Sequence, residues 1–456
     1  MFAQNVKILG VAQSFPLTEI WLIKKADFLS QKELKVAETK TDNKGNFQFE
    51  IEVDKTTQFI IRINEYNAYL YAEANKNYEI IFPKPGNTVP KTYGDNTFLE
   101  LQFKNLPTKD LNFLINDFDK KYKSFLSEFN YEIVKKEMAR PMKVFKNRIE
   151  KIYGDVKNDY FSTYVNFSYA GLESIFLSRN FVFKNYFKDA EIQYNHHEYF
   201  NFFDDYYKDY VYDIFVKKRS KKIDDIINKR RDYEAVIKIL KEDSLLADDR
   251  FCELILLKGL KDLYYKPEFK KEAILNLLQI LSYNSKFEEH KLIAKNIKDQ
   301  LTSGEVGKVA PPFTLSDIDQ KKYTLKELNK KPVYLFFFAS WNIESQRELE
   351  NLEQLSKKYG RNFQFVAISL DAYTIDLKYF LKNKKFSFPI LSWNDFRQIK
   401  YDYNVKSVPF AFIINDGKFF KSPALLPMEG LENDLILLKK TSLKNKTTNS
   451  GYRGAE

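Results

Sequence analysis

Residues 332–350, PVYLFFFASWNIESQRELE, constrain the fold more than any other stretch of this chain. Val333 to Phe338 are unbroken apolar residues, rich in aromatics and too few for a helix. That is the pattern of a strand covered on both faces in a parallel sheet. After Ala339, Ser340 and Trp341 the period changes. Leu349, Leu352, Leu355 and Tyr359 recur at three- and four-residue spacing, which marks one face of an amphipathic helix. The stretch therefore reads as a buried central strand, a sharp turn and the start of a helix.

Length and composition bound what surrounds this unit. At 456 residues the chain exceeds one compact core, so two or three domains are expected. With 44% hydrophobic and 30% charged residues it is globular rather than disordered. The net charge is +11, yet 73 basic residues face 62 acidic ones along the same stretches, which describes solvated helical faces and argues against a nucleic-acid partner. One cysteine, Cys252, forbids an intrachain disulfide and leaves the compartment open. No apolar run approaches the ~18 residues of a membrane span. Met1-Phe2-Ala3-Gln4 reads as the edge of a signal-peptidase cut at Ala3, which would place the protein in the periplasmic or outer-membrane-associated cell envelope; the alternative is a cytoplasmic start.

Three motifs in the last third carry a family resemblance. Val309-Ala310-Pro311-Pro312-Phe313-Thr314-Leu315 leads into the strand-turn-helix, and Ser407-Val408-Pro409 precedes an apolar strand, Phe410 to Ile414, and the turn Asn415-Asp416-Gly417. In this order they resemble the thioredoxin-fold envelope proteins of the TlpA/ResA kind, the thiol-disulfide oxidoreductases. In that family Trp is followed by Cys-x-x-Cys, whereas this chain has Trp341, Asn342, Ile343, Glu344 and Ser345. The resemblance implies a cis-proline at Pro409 opposite that turn, an edge strand after it, and a groove bordered by Val408, Pro409 and Phe410, with Phe410 narrowing it.

The remainder divides by pattern into a multidomain chain. An N-terminal antiparallel β-sandwich is expected over residues 1–95. Phe47, Phe49, Ile51 and Val53 alternate there, and Asp42-Asn43-Lys44-Gly45 is a turn signal. The passage from Thr41-Asp42 through Gly45 to Phe47 and Phe49 resembles the sandwich that precedes many TlpA-like domains. Lys84 to Asn96, with two prolines and two glycines, reads as a linker. A central all-α domain is expected over 96–303, with helices near 111–125, 199–218, 221–241, 246–263 and 267–283, and with Pro141 kinking or dividing one of them. A C-terminal α/β thioredoxin-like domain follows over 304–440, then a disordered tail over 441–456.

Candidate chemistry in the helical segment is sparse. His196-His197-Glu198 lacks a third ligand nearby and reads as solvated polar residues, so no metal is expected. Cys252 lies on a core-facing pattern and remains a possible lone thiol without a visible partner to lower its pKa. Phe200, Phe202, Phe203, Tyr206 and Tyr207 read as core and groove lining, and no cofactor is expected.

A thioredoxin needs a thiolate stabilised by the helix N-terminus and a second thiol to resolve the mixed disulfide. Neither Asn342 nor Ser345 supplies sulfur, so no catalytic residue is assigned. What the segment offers is helix capping: Asn342 as N-cap, Glu344 near the positive helix end, and capping-box spacing between Ser345 and Glu348. The function expected is a redox-inactive binding or scaffold protein for a protein or peptide partner. The alternative is a thiol-disulfide oxidoreductase or redox-homeostasis protein working through Cys252 or a partner's cysteines. The sequence does not fix an oligomeric state.

Overall fold

Strict alternation at the start of the chain becomes two packed sheets. The computed structural model describes residues 4–64, 66–84, 97–218, 224–246, 248–302, 304–371, 374–392, 402–403, 405 and 407–439. The sandwich strands are β1 (Gln4–Val11), β2 (Glu19–Lys25), β3 (Glu33–Lys40), β4 (Asn46–Val53), β5 (Thr57–Ile63), β6 (Tyr66–Ala72), β7 (Tyr78–Ile81), β8 (Thr97–Phe98) and β9 (Gln102–Phe103). They form one sheet in the order β4-β1-β7-β9 and a second in the order β3-β2-β5-β6-β8. Every second residue of β4 is buried, which is why Phe47, Phe49, Ile51 and Val53 share one core with Ile20, Leu22 and Ile61 of the other sheet. The sandwich is not wholly antiparallel, because β1 runs parallel to β7. Gly45 closes the predicted turn at φ +83°, and a Cβ there would stand 2.4 Å from the Ala12 carbonyl oxygen.

The helical segment contains α1 (Leu111–Glu128), α2 (Asn130–Lys135), α3 (Ala139–Tyr153), α4 (Asp159–Glu173), α5 (Arg179–Tyr186), α6 (His197–Tyr206), α7 (Tyr210–Lys218), α8 (Tyr233–Leu240), α9 (Asp249–Leu263), α10 (Lys271–Asn284) and α11 (Glu288–Leu301). Pro141 neither kinks nor divides a helix. It sits in the first turn of α3, where backbone N–H groups lack intrahelical acceptors and a missing donor costs nothing. The helix expected over 199–218 is broken in two, with Asp209 at φ +54°, and the one expected over 221–241 contains a π-helical turn at Ile226–Arg230 before α8. α9 is buried along most of its length and forms the axis of the helical core.

By internal contacts the described residues up to 84 and from Phe98 to Leu301 make one compact unit, and those from Thr302 onward make another. Within the first, Asn112 of α1 accepts the Tyr71 N–H at 2.8 Å and donates to the Tyr71 carbonyl at 2.9 Å, pairing a helix with the backbone of β6.

The second unit is built on a seven-stranded sheet. Its elements are β10 (Thr314–Asp317), β11 (Lys322–Thr324), α12 (Leu325–Leu328), β12 (Val333–Phe338), α13 (Ile343–Tyr359), β13 (Gln364–Ser369), α14 (Thr374–Leu381), β14 (Ile390–Ser392), β15 (Phe410–Asn415), β16 (Lys418–Lys421) and a helix over 431–439. The strand order is β11-β10-β14-β13-β12-β15-β16, with β12 parallel to β13 and antiparallel to β15. All six residues of β12 are buried: Val333, Leu335 and Phe337 enter one core, and Tyr334, Phe336 and Phe338 enter the other, with Leu349 and Leu352 of α13. The strand after Pro409 is not an edge strand, because β16 covers its outer side through the hairpin at Asp416 and Gly417, both at positive φ. The linker of residues 85–96, the cut at Ala3 and the tail of 441–456 lie outside the described residues.

Candidate functional site

From Phe338 the chain turns through Ala339, Ser340 and Trp341 into α13, and a carboxylate from the next strand fixes that turn. Ser340 donates both its N–H and its hydroxyl to Asp371 Oδ1, each at 2.8 Å. The other Asp371 oxygen accepts the Ser369 hydroxyl at 2.6 Å, and Gln346 Nε2 donates to the Ser340 carbonyl at 2.6 Å. The parallel register of β12 and β13 makes this possible: Phe338 stands beside Ser369, so an acid closing one strand reaches the turn leaving the other. Asp371 is buried, which pushes its carboxyl above the usual range, while the Ser369 and Ser340 hydrogen bonds pull the other way. Nothing local in the sequence assigns Asp371 a role. The only signal was an acid directly after an apolar strand.

Asn342 caps α13, accepting the Ser345 N–H at 2.7 Å, as its residue type predicts. The capping box expected between Ser345 and Glu348 does not form. Ser345 already lies inside the helix, and Glu348 accepts the Met428 N–H at 3.0 Å, from a segment eighty residues further on. Ser345 is fully buried and its hydroxyl has no hydrogen-bond partner among the described residues. Trp341 and Ile343, in contrast, are 57% and 60% exposed, an apolar pair at the surface beside a buried polar atom.

The Val408–Pro409 bond is cis. Phe410 opens β15 opposite Phe337, so the half-buried Val408, Pro409 and Phe410 arrive at the same end of β12 from which the Trp341 turn departs. Its ring leans on Phe412 at 5.1 Å between centroids. The entry motif is anchored nearby in the chain's own sheet: Ala310 N–H donates to the Gly417 carbonyl, and Tyr403 donates to the Pro311 carbonyl at 2.7 Å.

Cys252 belongs to the other compact unit. It is fully buried on α9, and desolvation pushes its thiol up to about 12, with Lys241 pulling weakly the other way. His196 and His197 are not solvated as expected. His196 is 3% exposed, caps α6, and approaches the Tyr160 carbonyl at 3.0 Å. His197 packs parallel to it and meets the Tyr71 and Tyr160 hydroxyls at 3.5 and 3.3 Å. Burial holds both imidazoles below their usual pKa. Among the described residues no group of three or more His, Cys, Asp or Glu could hold a metal ion, and no helix is long and apolar enough to cross a membrane.

A central strand turning into a capped helix, with a cis-proline strand antiparallel beside it, defines a thioredoxin-like domain. Residues 306–420 match the AhpC/TSA family, and this domain of the chain belongs to it. ResA, a thiol-disulfide oxidoreductase of Bacillus cereus, is 32% identical over 116 residues; the match covers 25% of this chain and spans 66% of that relative's length. ResA of Bacillus subtilis is 29% identical, over 29% of this chain and 75% of its own. Among solved structures, a thiol-disulfide oxidoreductase of Bacteroides fragilis is 24% identical, covering 29% of this chain and 99% of its own with a TM-score of 0.26. An exposed lipoprotein thioredoxin of Streptococcus pneumoniae is 23% identical, covering 27% and 97% with a TM-score of 0.25.

Proposed function

We propose that this protein is a redox-inactive thioredoxin-like binding or scaffold component of the cell envelope, holding a protein or peptide partner along the surface bordered by Trp341, Ile343, Val408, Pro409 and Phe410. One observation carries the reading. The turn and the cis-proline segment keep their places around β12, while positions 342 and 345 hold an amide that caps the helix and a buried hydroxyl. Neither is a nucleophile at neutral pH, since serine needs an adjacent base and Asn has no nucleophilic atom. The Asp371 carboxylate does not serve as that base for Ser345, because its two oxygens are occupied by Ser340 and Ser369.

The alternative of a one-cysteine catalyst meets the burial of Cys252. With a thiol pKa near 12 only about one molecule in 10⁵ carries a thiolate at pH 7. The protein is therefore expected to leave dithiothreitol-driven insulin reduction at the uncatalysed rate. Catalysis abolished by Cys252→Ala would instead establish the alternative. The partner surface is tested by affinity capture from envelope extract with wild type and Phe410→Asp. The reading requires the capture of at least one protein to be lost with Phe410→Asp, and identical sets from both would remove this surface from consideration.

A further inference from the structure

Outside the thioredoxin-like unit, the break between α6 and α7 gathers three tyrosines around one cation. The guanidinium of Arg179 lies 3.9 Å from the ring centroid of Tyr210, 5.7 Å from Tyr207 and 5.8 Å from Tyr206. The rings are walls rather than a stack: Tyr206 meets Tyr207 at 81°, and Tyr207 meets Tyr210 at 78°. Tyr206 donates its hydroxyl to the Arg179 carbonyl at 2.9 Å, and Tyr210 donates to the Asp243 carboxylate, which sets one negative charge at the rim. Among the described residues no carboxylate forms an ion pair with Arg179, so ring faces and the Tyr206 and Tyr210 hydroxyls, rather than a counter-ion, hold this charge.

We propose that Tyr206, Tyr207 and Tyr210 form a binding cage for a small organic cation with a methylated ammonium head, and that Arg179 is its internal, displaceable occupant. Ring quadrupoles favour weakly hydrated, spread-out cations, which guanidinium and quaternary ammonium both are. Arg179 is exposed at the start of α5, so its side chain can leave without unfolding a core. Two further features point to a ligand larger than the head alone. The Tyr207 hydroxyl is buried with no partner among the described residues, a donor left for an ether or ester oxygen beyond the ammonium. Phe187 and Phe251 pack on Tyr207 and also line a cleft of about 640 Å³, whose wall sets Phe183 and Ile192 among charged residues that include Asp189, Glu191 and Asp248, so the space beyond Tyr207 is of mixed polarity.

The test is calorimetric titration of the full chain with choline at constant ionic strength, beside sedimentation with phosphatidylcholine vesicles. Wild type binds saturably, Arg179→Ala tightens binding about tenfold by removing the internal competitor, and Tyr210→Leu abolishes it. Asp243→Asn weakens binding and serves as the second reading where Tyr210→Leu does not fold. Binding of choline alone assigns a soluble cation, and capture by vesicles assigns a lipid headgroup. Absence of both, equal affinity in wild type and Arg179→Ala, or binding unchanged in Asp243→Asn overturns the proposal and leaves Arg179 as a structural staple.

Discussion

At position 345 a hydroxyl occupies a seat with no hydrogen-bond partner among the described residues, and that single atom separates two accounts of the turn. Buried and unpaired, the Ser345 oxygen has given up water for nothing, a deficit of about 1–3 kcal/mol. A site still selected for serine chemistry would orient that oxygen with a base, whereas the Asp371 carboxylate is committed to the turn and Glu348 to the Met428 N–H. Replacing Ser345 with Ala is therefore expected to leave the urea midpoint of the thioredoxin-like unit unchanged or raise stability by up to about 1 kcal/mol. Asn342→Ala, which removes the cap, is expected to lower stability by about 1 kcal/mol. Destabilisation by Ser345→Ala beyond the Asn342→Ala value would show that the hydroxyl has a partner and would reopen its chemistry. Residue type alone made the Asn342 cap legible, since Asn before an amphipathic run is a local signal. The partners of Glu348 and Ser340 were not, because Met428 and Asp371 meet them only through the sheet.

Elements show the same division between local and distant information. The apolar run of β12, the alternation of β4 and the Asn415-Asp416-Gly417 hairpin each depend on neighbours within a few residues, and each has the expected form. The His196-His197-Glu198 segment depends on what packs over it. Polar residues at a helix start look solvated in sequence, yet Tyr160 and Tyr164 of α4 and Tyr71 of β6 enclose both imidazoles. That enclosure has a pH signature. Burial lowers His196 from 6.5 to about 4, so the unfolded chain binds the proton first, and the stability that the neutral ring contributes is present above pH 6.5 and lost as pH falls toward 4. The facing acids Glu198 and Asp119 are pushed upward by burial and act in the opposite sense, losing stability as pH rises through their own folded values. The comparison that isolates the histidine is wild type against His196→Gln. Between pH 7 and pH 4 the wild type should lose up to about 3 kcal/mol more than the variant, read from urea unfolding of the first unit. Parallel pH profiles would mean that water reaches the ring.

For the whole molecule, strands give way to helices only after β9, a few residues beyond the change of pattern near residue 95, and the two are joined by apolar packing such as Phe28 on Phe200 together with polar bonds that no periodicity reveals. Asn112 pairs with both backbone groups of Tyr71, and Asn296 of α11 donates to Asp27 of the sandwich at 2.8 Å. Lys261 of α9 adds a bond to the Leu29 carbonyl at 2.8 Å. A backbone N–H and C=O at a buried strand have no alternative partner once a side chain that served both is removed, so the joint is expected to couple the unfolding of sandwich and helices. Native-state hydrogen exchange on the full chain should then show β5, β6, α1 and α9 opening with one shared free energy, and β12 and β13 with another. Asn112→Ala should lower the first by about 2–4 kcal/mol, two buried backbone groups having lost their partner, and leave the second unchanged. Sandwich strands that exchange independently of α1 and α9 in the wild type would break the coupling. They would also make the surface over Tyr71, Tyr160 and His197 a separable interface rather than part of one core.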